Sequence, residues 1–136
     1  MAVAVAVQGA LVLADFVVLG LLARGVPVLK ELFLVVSGLA GPAIGVTRHF
    51  RSATRDGAGL VLVSSAGSLV LGVLWHFVLD GPGSLRVALR SGVPVVARVF
   101  EVSVTLEVAA GAAAVLLAAL AFRRRTEILS IGRLPA

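Results

Sequence analysis

Apolar residues run along this chain in long, nearly unbroken stretches, with neither the two-residue alternation of half-buried strands nor the narrow stripe of a surface helix. A helix needs about 20 mostly apolar residues to cross the hydrocarbon core of a bilayer. Four stretches approach or exceed that length: Ala2–Ala23, Val26–Val46, Ala58–Leu79 and Val93–Phe122. The pattern predicts an all-α integral membrane protein of about four transmembrane helices, forming one domain over residues 1–136. The alternating Ala-Val start could be taken for a strand. Its continuation to Ala23 without a turn favours a helix.

The breaks between stretches have local causes. Asp80-Gly81-Pro82-Gly83-Ser84 ends the third stretch as a turn. Leu85–Arg90 is expected to form a short interfacial helix, with Arg86 and Arg90 one turn apart. Thr47–Arg55 reads as the middle loop. Trp75, His76 and Phe77 fall where amphipathic aromatics sit, near the outer end of the third helix.

Composition agrees with lipid as the solvent. Of 136 residues, 60% are hydrophobic and only 14% charged, against about 25% charged in soluble domains. The apolar N-terminus lacks a basic flank and outruns signal-peptide length, so a retained first helix is expected. Arg123-Arg124-Arg125 follows Phe122 as a stop-transfer anchor would. With four spans, the middle loop and C-terminal tail hold seven basic residues (Arg48, Arg51, Arg55, Arg123, Arg124, Arg125, Arg133), against Arg24, Lys30, Arg86 and Arg90 opposite. The positive-inside rule then places both termini in the cytoplasm, in the inner cell membrane. The net charge of +5 belongs to these flanks. No aromatic or basic stripe accompanies it, so no nucleic-acid partner is expected.

Small residues recur at four-residue spacing: Ser37, Gly41 and Gly45; Ser64, Ser68 and Gly72; Ala110, Ala114 and Ala118. Such spacing lets helix backbones approach closely in lipid. Pro42 removes a backbone donor and clashes with the Gly38 carbonyl, so a kink is expected within the second helix. That kink serves packing or lines a water-filled path.

The charges inside the apolar stretches need a reason, since each costs about 2.5–3.5 kcal/mol on insertion scales. Asp15 has no partner within reach on its own helix, so it is protonated, paired across helices or facing water. Arg98 and Glu101 are three apart and can pair. Glu101 stands about 22 residues, roughly 33 Å, above Arg123, near the outer interface. Glu107 is deeper, at roughly 24 Å, and Asp15 lies roughly 20 Å above Ala2, at similar depth. Six residues of helix turn Glu107 about 120° away from Glu101. Asp15, Glu101, Glu107 and Arg98 are therefore the candidate ion- or proton-path groups, with a buried hydrogen-bonding role as the alternative for the carboxyls. No cysteine is present, and His49 and His76 are far apart, so neither a metal site nor a cofactor is expected and no single-chain enzyme pattern is found. His76 is structural or supplies a ligand to a partner's cofactor.

The run Phe100-Glu101-Val102-Ser103-Val104-Thr105-Leu106-Glu107-Val108-Ala109-Ala110-Gly111 resembles the last helix of the small B-type subunit of multisubunit Mrp cation/proton antiporters. That resemblance covers about residues 93–120, with Glu101 at the family's acidic position. Thr47–Arg55 is similar to the cytoplasmic loop of the G-type small subunit. The segment Arg24-Gly25-Val26-Pro27-Val28-Leu29-Lys30-Glu31 departs from the glycine-rich, Phe-containing loop of B-type subunits. The resemblance implies a small membrane subunit that scaffolds ion-translocating partners and lines part of an ion path. Two other readings stay open: a structural subunit of a respiratory or photosynthetic membrane complex, and a self-contained small proton-coupled transporter.

Overall fold

The computed structural model describes residues 1–22, 32–52, 55–79, 84–90 and 94–131. Among them there is only helix, apart from isolated residues at the ends of segments. Helix α1 is Ala2–Leu22. Helix α2 covers residues 32–52 and includes a π-helical segment, Val35–Ala40, before an α-helical part, Gly41–Ser52. Helix α3 runs Arg55–Val73 and ends in a second π-helical segment, Leu74–Val78. Helix α4 is the short Leu85–Arg90, and α5 is the 38-residue Pro94–Ile131.

Among the described residues, three helices are long and apolar enough to cross a membrane: Leu32–Arg51, Arg55–Val78 and Ala97–Arg124. Within α1, Ala2–Ala14 forms a shorter apolar stretch. The four long helices make one bundle, in which α5 packs against α1 and α3, and α2 packs against α3 and, less extensively, α1. Its interior holds alanine, glycine, serine and valine, while leucine, valine, isoleucine and phenylalanine cover the outside. This inverts the distribution of a water-soluble bundle and fits lipid as the solvent.

Packing follows a seven-residue repeat. On α5 the buried positions are Ala97, Phe100, Val104, Glu107, Gly111, Ala114 and Ala118, spaced alternately by three and four. On α3 the buried Ala58, Val61, Ser65, Ser68 and Gly72 keep the same spacing, and Gly57 is buried beside them against α2. This repeat keeps one seam facing the neighbouring helix. Between α2 and α3 the backbones nearly touch. A Cβ on Gly41 would lie 2.7 Å from the Ser64 Cβ, and one on Gly45 would lie 2.8 Å from the Val61 nitrogen.

The helices differ from the sequence expectation at their ends. The second does not stop at Val46 but continues to Ser52, and the third begins at Arg55 rather than Ala58. Most of the expected middle loop, Thr47–Arg55, is therefore helical. Its residues tolerate a helix that leaves the apolar zone, and the Thr47 hydroxyl donates to the Ala43 carbonyl at 2.8 Å. Similarly, α5 passes Phe122 and the arginine run to reach Ile131. Charge ends an apolar stretch but not a helix, because arginine is a good helix former. The expected start of the second helix, residues 26–31, and the turn at 80–83 lie outside the described residues. Ser84 caps α4, its Oγ accepting from the Val87 N–H at 3.3 Å.

Pro42 does not interrupt α2. The chain widens into the π-helical segment just before it, and the Gly41 N–H bonds to the Val36 carbonyl, five residues back. The Ser37 hydroxyl donates to the Phe33 carbonyl at 2.7 Å. The proline's missing donor is thus absorbed by a change of helix type.

Candidate functional site

Away from the ends of the long helices the seam turns polar. Glu107, Ser65, Ser68 and Gln8 all occupy buried positions there, with Glu107 6% exposed and the other three at 1% or less. Contacts between helices fix their levels. The Gln8 amide nitrogen lies 3.5 Å from where a Cβ on Gly111 would stand, one turn along α5 from Glu107. The Glu107 Oε1 lies 3.8 Å from the corresponding point on Gly72, one turn along α3 from Ser68. The Ser68 hydroxyl in turn lies 3.3 Å from that point on Gly38, which also meets Val12 of α1. Of these glycines only Gly38 is tight, since a Cβ there would crowd the Ser68 hydroxyl, while Cβ atoms at Gly72 and Gly111 would make ordinary contacts.

Three atoms of this group have no hydrogen-bond partner: Gln8 Oε1, Ser65 Oγ and Ser68 Oγ. A buried unsatisfied polar atom costs about 1–3 kcal/mol. Several along one seam mark a place suited to water or another polar guest. Membrane proteins concentrate such groups where ions or protons pass.

Towards one end of the bundle the seam continues to His76, which is 2% exposed and stacks edge-on against Phe100 with ring centroids 5.6 Å apart. The seven-residue repeat on α3 would bring Trp75 to this position. The π-helical segment Leu74–Val78 inserts one residue and presents His76 instead. His76 and Trp75 also border a small pocket between α2 and α3, with Phe33, Leu34, Leu71 and Gly72.

The expected candidates separate. Arg98 and Glu101 form an ion pair at 3.0 Å, but their side chains are 77% and 41% exposed, on the outside of α5. Thr105 is also exposed, its hydroxyl donating to the Glu101 carbonyl at 2.7 Å. Among the described charged side chains of α5, only Glu107 is buried. Asp15 belongs to α1, but its side chain lies outside the described residues. Among the described residues no group of three or more His, Cys, Asp or Glu side chains could hold a metal ion.

No family model, curated protein or solved structure matches this chain. The functional reading therefore rests on the chemistry of the seam.

Gln8 and Ser65 are not among the residues that the sequence pattern singles out. Both carried a usable signal. Gln8 is the only polar side chain among the first 14 residues. It shares the three-and-four spacing of Val5 and Val12, both buried. Ser65 lies on the repeat that joins Val61 to Ser68.

Proposed function

We propose that this chain is a small multi-pass subunit of a cation/proton-translocating membrane complex, and that Glu107 is its proton-exchanging group. In this reading α1 joins the three longer spans to make four crossings, with both termini on the cytoplasmic side. The observation that carries it is the burial of the Glu107 carboxyl inside the bundle, on the seam that also carries Gln8, Ser65 and Ser68. A carboxyl held between helices gives a site where a proton can be held and released. Unsatisfied hydroxyl and amide oxygens beside it supply acceptors for water that would carry the proton onward. The π-helical segment and Pro42 of α2 border the same level, where backbone irregularity is tolerated if it lines a cavity. The resemblance of α5 to the last helix of B-type antiporter subunits supports the choice of ion-translocating partners over respiratory or photosynthetic ones. Arg98 and Glu101, exposed together on the outer face of α5, are assigned to the interface with lipid or a neighbouring subunit.

The test is cation-driven proton exchange in membrane vesicles from the native host carrying single substitutions. Glu107→Gln keeps size and hydrogen bonding but cannot titrate. It is expected to lower exchange at least tenfold, with the protein still assembled into its complex. Glu101→Gln is expected to stay within twofold of the parent. Full exchange with Glu107→Gln would leave the carboxyl a structural hydrogen-bonding group and overturn the assignment. Copurification through a tag gives the second arm: antiporter-like subunits in fixed ratio support the complex, and recovery of this chain alone overturns it.

A further inference from the structure

One end of the bundle gathers arginines from three helices. Arg48 and Arg51 lie in the last turns of α2, Arg55 opens α3, and Arg123 and Arg124 lie on α5 beyond its apolar part. Direct contacts bring these places together. The Gly57 position meets the backbone of His49, Gly59 meets the Phe122 ring, and the Arg55 guanidinium lies over that ring at 4.2 Å from its centroid. All five arginines are exposed. Segments 48–56 and 123–127 hold six arginines against two acids, Asp56 and Glu127.

We infer that this end binds the headgroup of an anionic phospholipid. Three features favour that occupant. The arginines stand where three apolar helices leave the lipid-facing zone, so a headgroup on an acyl chain lying against α3 or α5 arrives at their level. Every basic residue in these segments is arginine rather than lysine, and the planar guanidinium fork matches two phosphate oxygens at once. The Arg55 guanidinium is stacked on Phe122, which orients its plane and leaves its N–H edges free to donate. Basic pockets between helix ends on the positive side of membrane proteins hold acidic headgroups in this way. The opposite end, with Arg86 and Arg90 on the short α4, serves as an internal comparison.

The experiment measures lipid affinity of the full chain, purified in neutral detergent, by native mass spectrometry. The probes are phosphatidylglycerol, phosphatidylcholine and inorganic phosphate. Phosphatidylglycerol should bind at least tenfold more tightly than phosphatidylcholine, and inorganic phosphate should not displace it at equal concentration. Each arginine neutralised should weaken binding roughly fivefold. The variant Arg51→Gln/Arg123→Gln/Arg124→Gln should therefore lose about two orders of magnitude, with Arg86→Gln/Arg90→Gln unchanged. Equal affinity for the two lipids, equal loss in both variants, or displacement by inorganic phosphate would overturn the inference, the last by making it a simple anion site. Should the triple variant fail to stay monodisperse, raising salt on the parent protein decides instead. Release of phosphatidylglycerol between low and high salt supports a headgroup site, and retention at high salt overturns it.

Discussion

Gly57 and Gly67 lie on the same helix, and replacing either with alanine should change stability in opposite directions. A Cβ on Gly57 would stand 2.8 Å from the Gly45 carbonyl oxygen and 2.8 Å from the His49 Cα, both backbone atoms of α2. Ordinary contact begins at 3.4 Å, so α2 would have to retreat by about 0.6 Å to clear these two atoms, and further to clear the still nearer His49 nitrogen. Helix backbones cannot rotate away as a side chain can. A gap of that size forfeits a quarter to a half of each dispersion contact it opens. Overpacking of this kind costs about 1–3 kcal/mol, and backbone against backbone belongs at the upper end. The gain in helix propensity from glycine to alanine, about 1 kcal/mol, offsets part of it. Gly57→Ala should therefore lose about 1–2 kcal/mol. At Gly67 the nearest foreign atom is the Phe33 Cζ at 3.8 Å, an ordinary contact. Gly67→Ala should keep the propensity gain and rise by up to about 1 kcal/mol. Equilibrium unfolding in mixed micelles, followed by helical circular dichroism, reads both. If Gly57→Ala were as stable as Gly67→Ala, α2 and α3 would not be in backbone contact and the described packing would be wrong.

Phe100→Ala should cost about 2–3 kcal/mol in the same assay, since the ring is fully buried against His76. The loss falls below that of a soluble core because lipid has already removed the water-transfer part, leaving the cavity and lost contacts. Removing the exposed pair by Arg98→Ala should change stability by less than about 1 kcal/mol. A larger effect, read from the same unfolding curves, would mean that the pair is desolvated in the detergent-bound protein.

The bundle was legible in the sequence to the extent that it follows from hydrophobicity and helical geometry. Long apolar runs place the helices, and small residues at four-residue spacing mark where they touch. Gly41 does meet Ser64, and Gly38 meets Ser68. The angle between Glu101 and Glu107, counted at 100° per residue, separates an exposed carboxyl from a buried one, as found. The rest depends on events that no fixed period contains. On α5 a four-residue count picks Ala110, whereas the seam takes Gly111, because facing helices supercoil to a three-and-four repeat. The two π-helical segments shift the register by a residue within α2 and α3, and only the structure shows where. Helix ends were the least legible, since polar side chains end burial without ending hydrogen bonding.

Those register shifts bear on function. Without the insertion at Leu74–Val78, the bulky Trp75 would face Phe100, and the seam would close with apolar side chains at that level. With it, the seam carries His76, Glu107, Ser68, Ser65 and Gln8 at successive levels. A π-helical segment is a poorer structure than the α-helix it interrupts, and such segments concentrate at functional sites. The second segment, beside Pro42, lies in the helix whose Gly38 meets the Ser68 hydroxyl. Packing alone would be served by regular helices and apolar side chains, whereas Ser65, Ser68 and Gln8 carry buried polar atoms that no protein group satisfies. A bundle that keeps the irregular helices and these polar groups along one seam has a polar interior. The proposed proton or cation path would need such an interior, which Glu107→Gln tests.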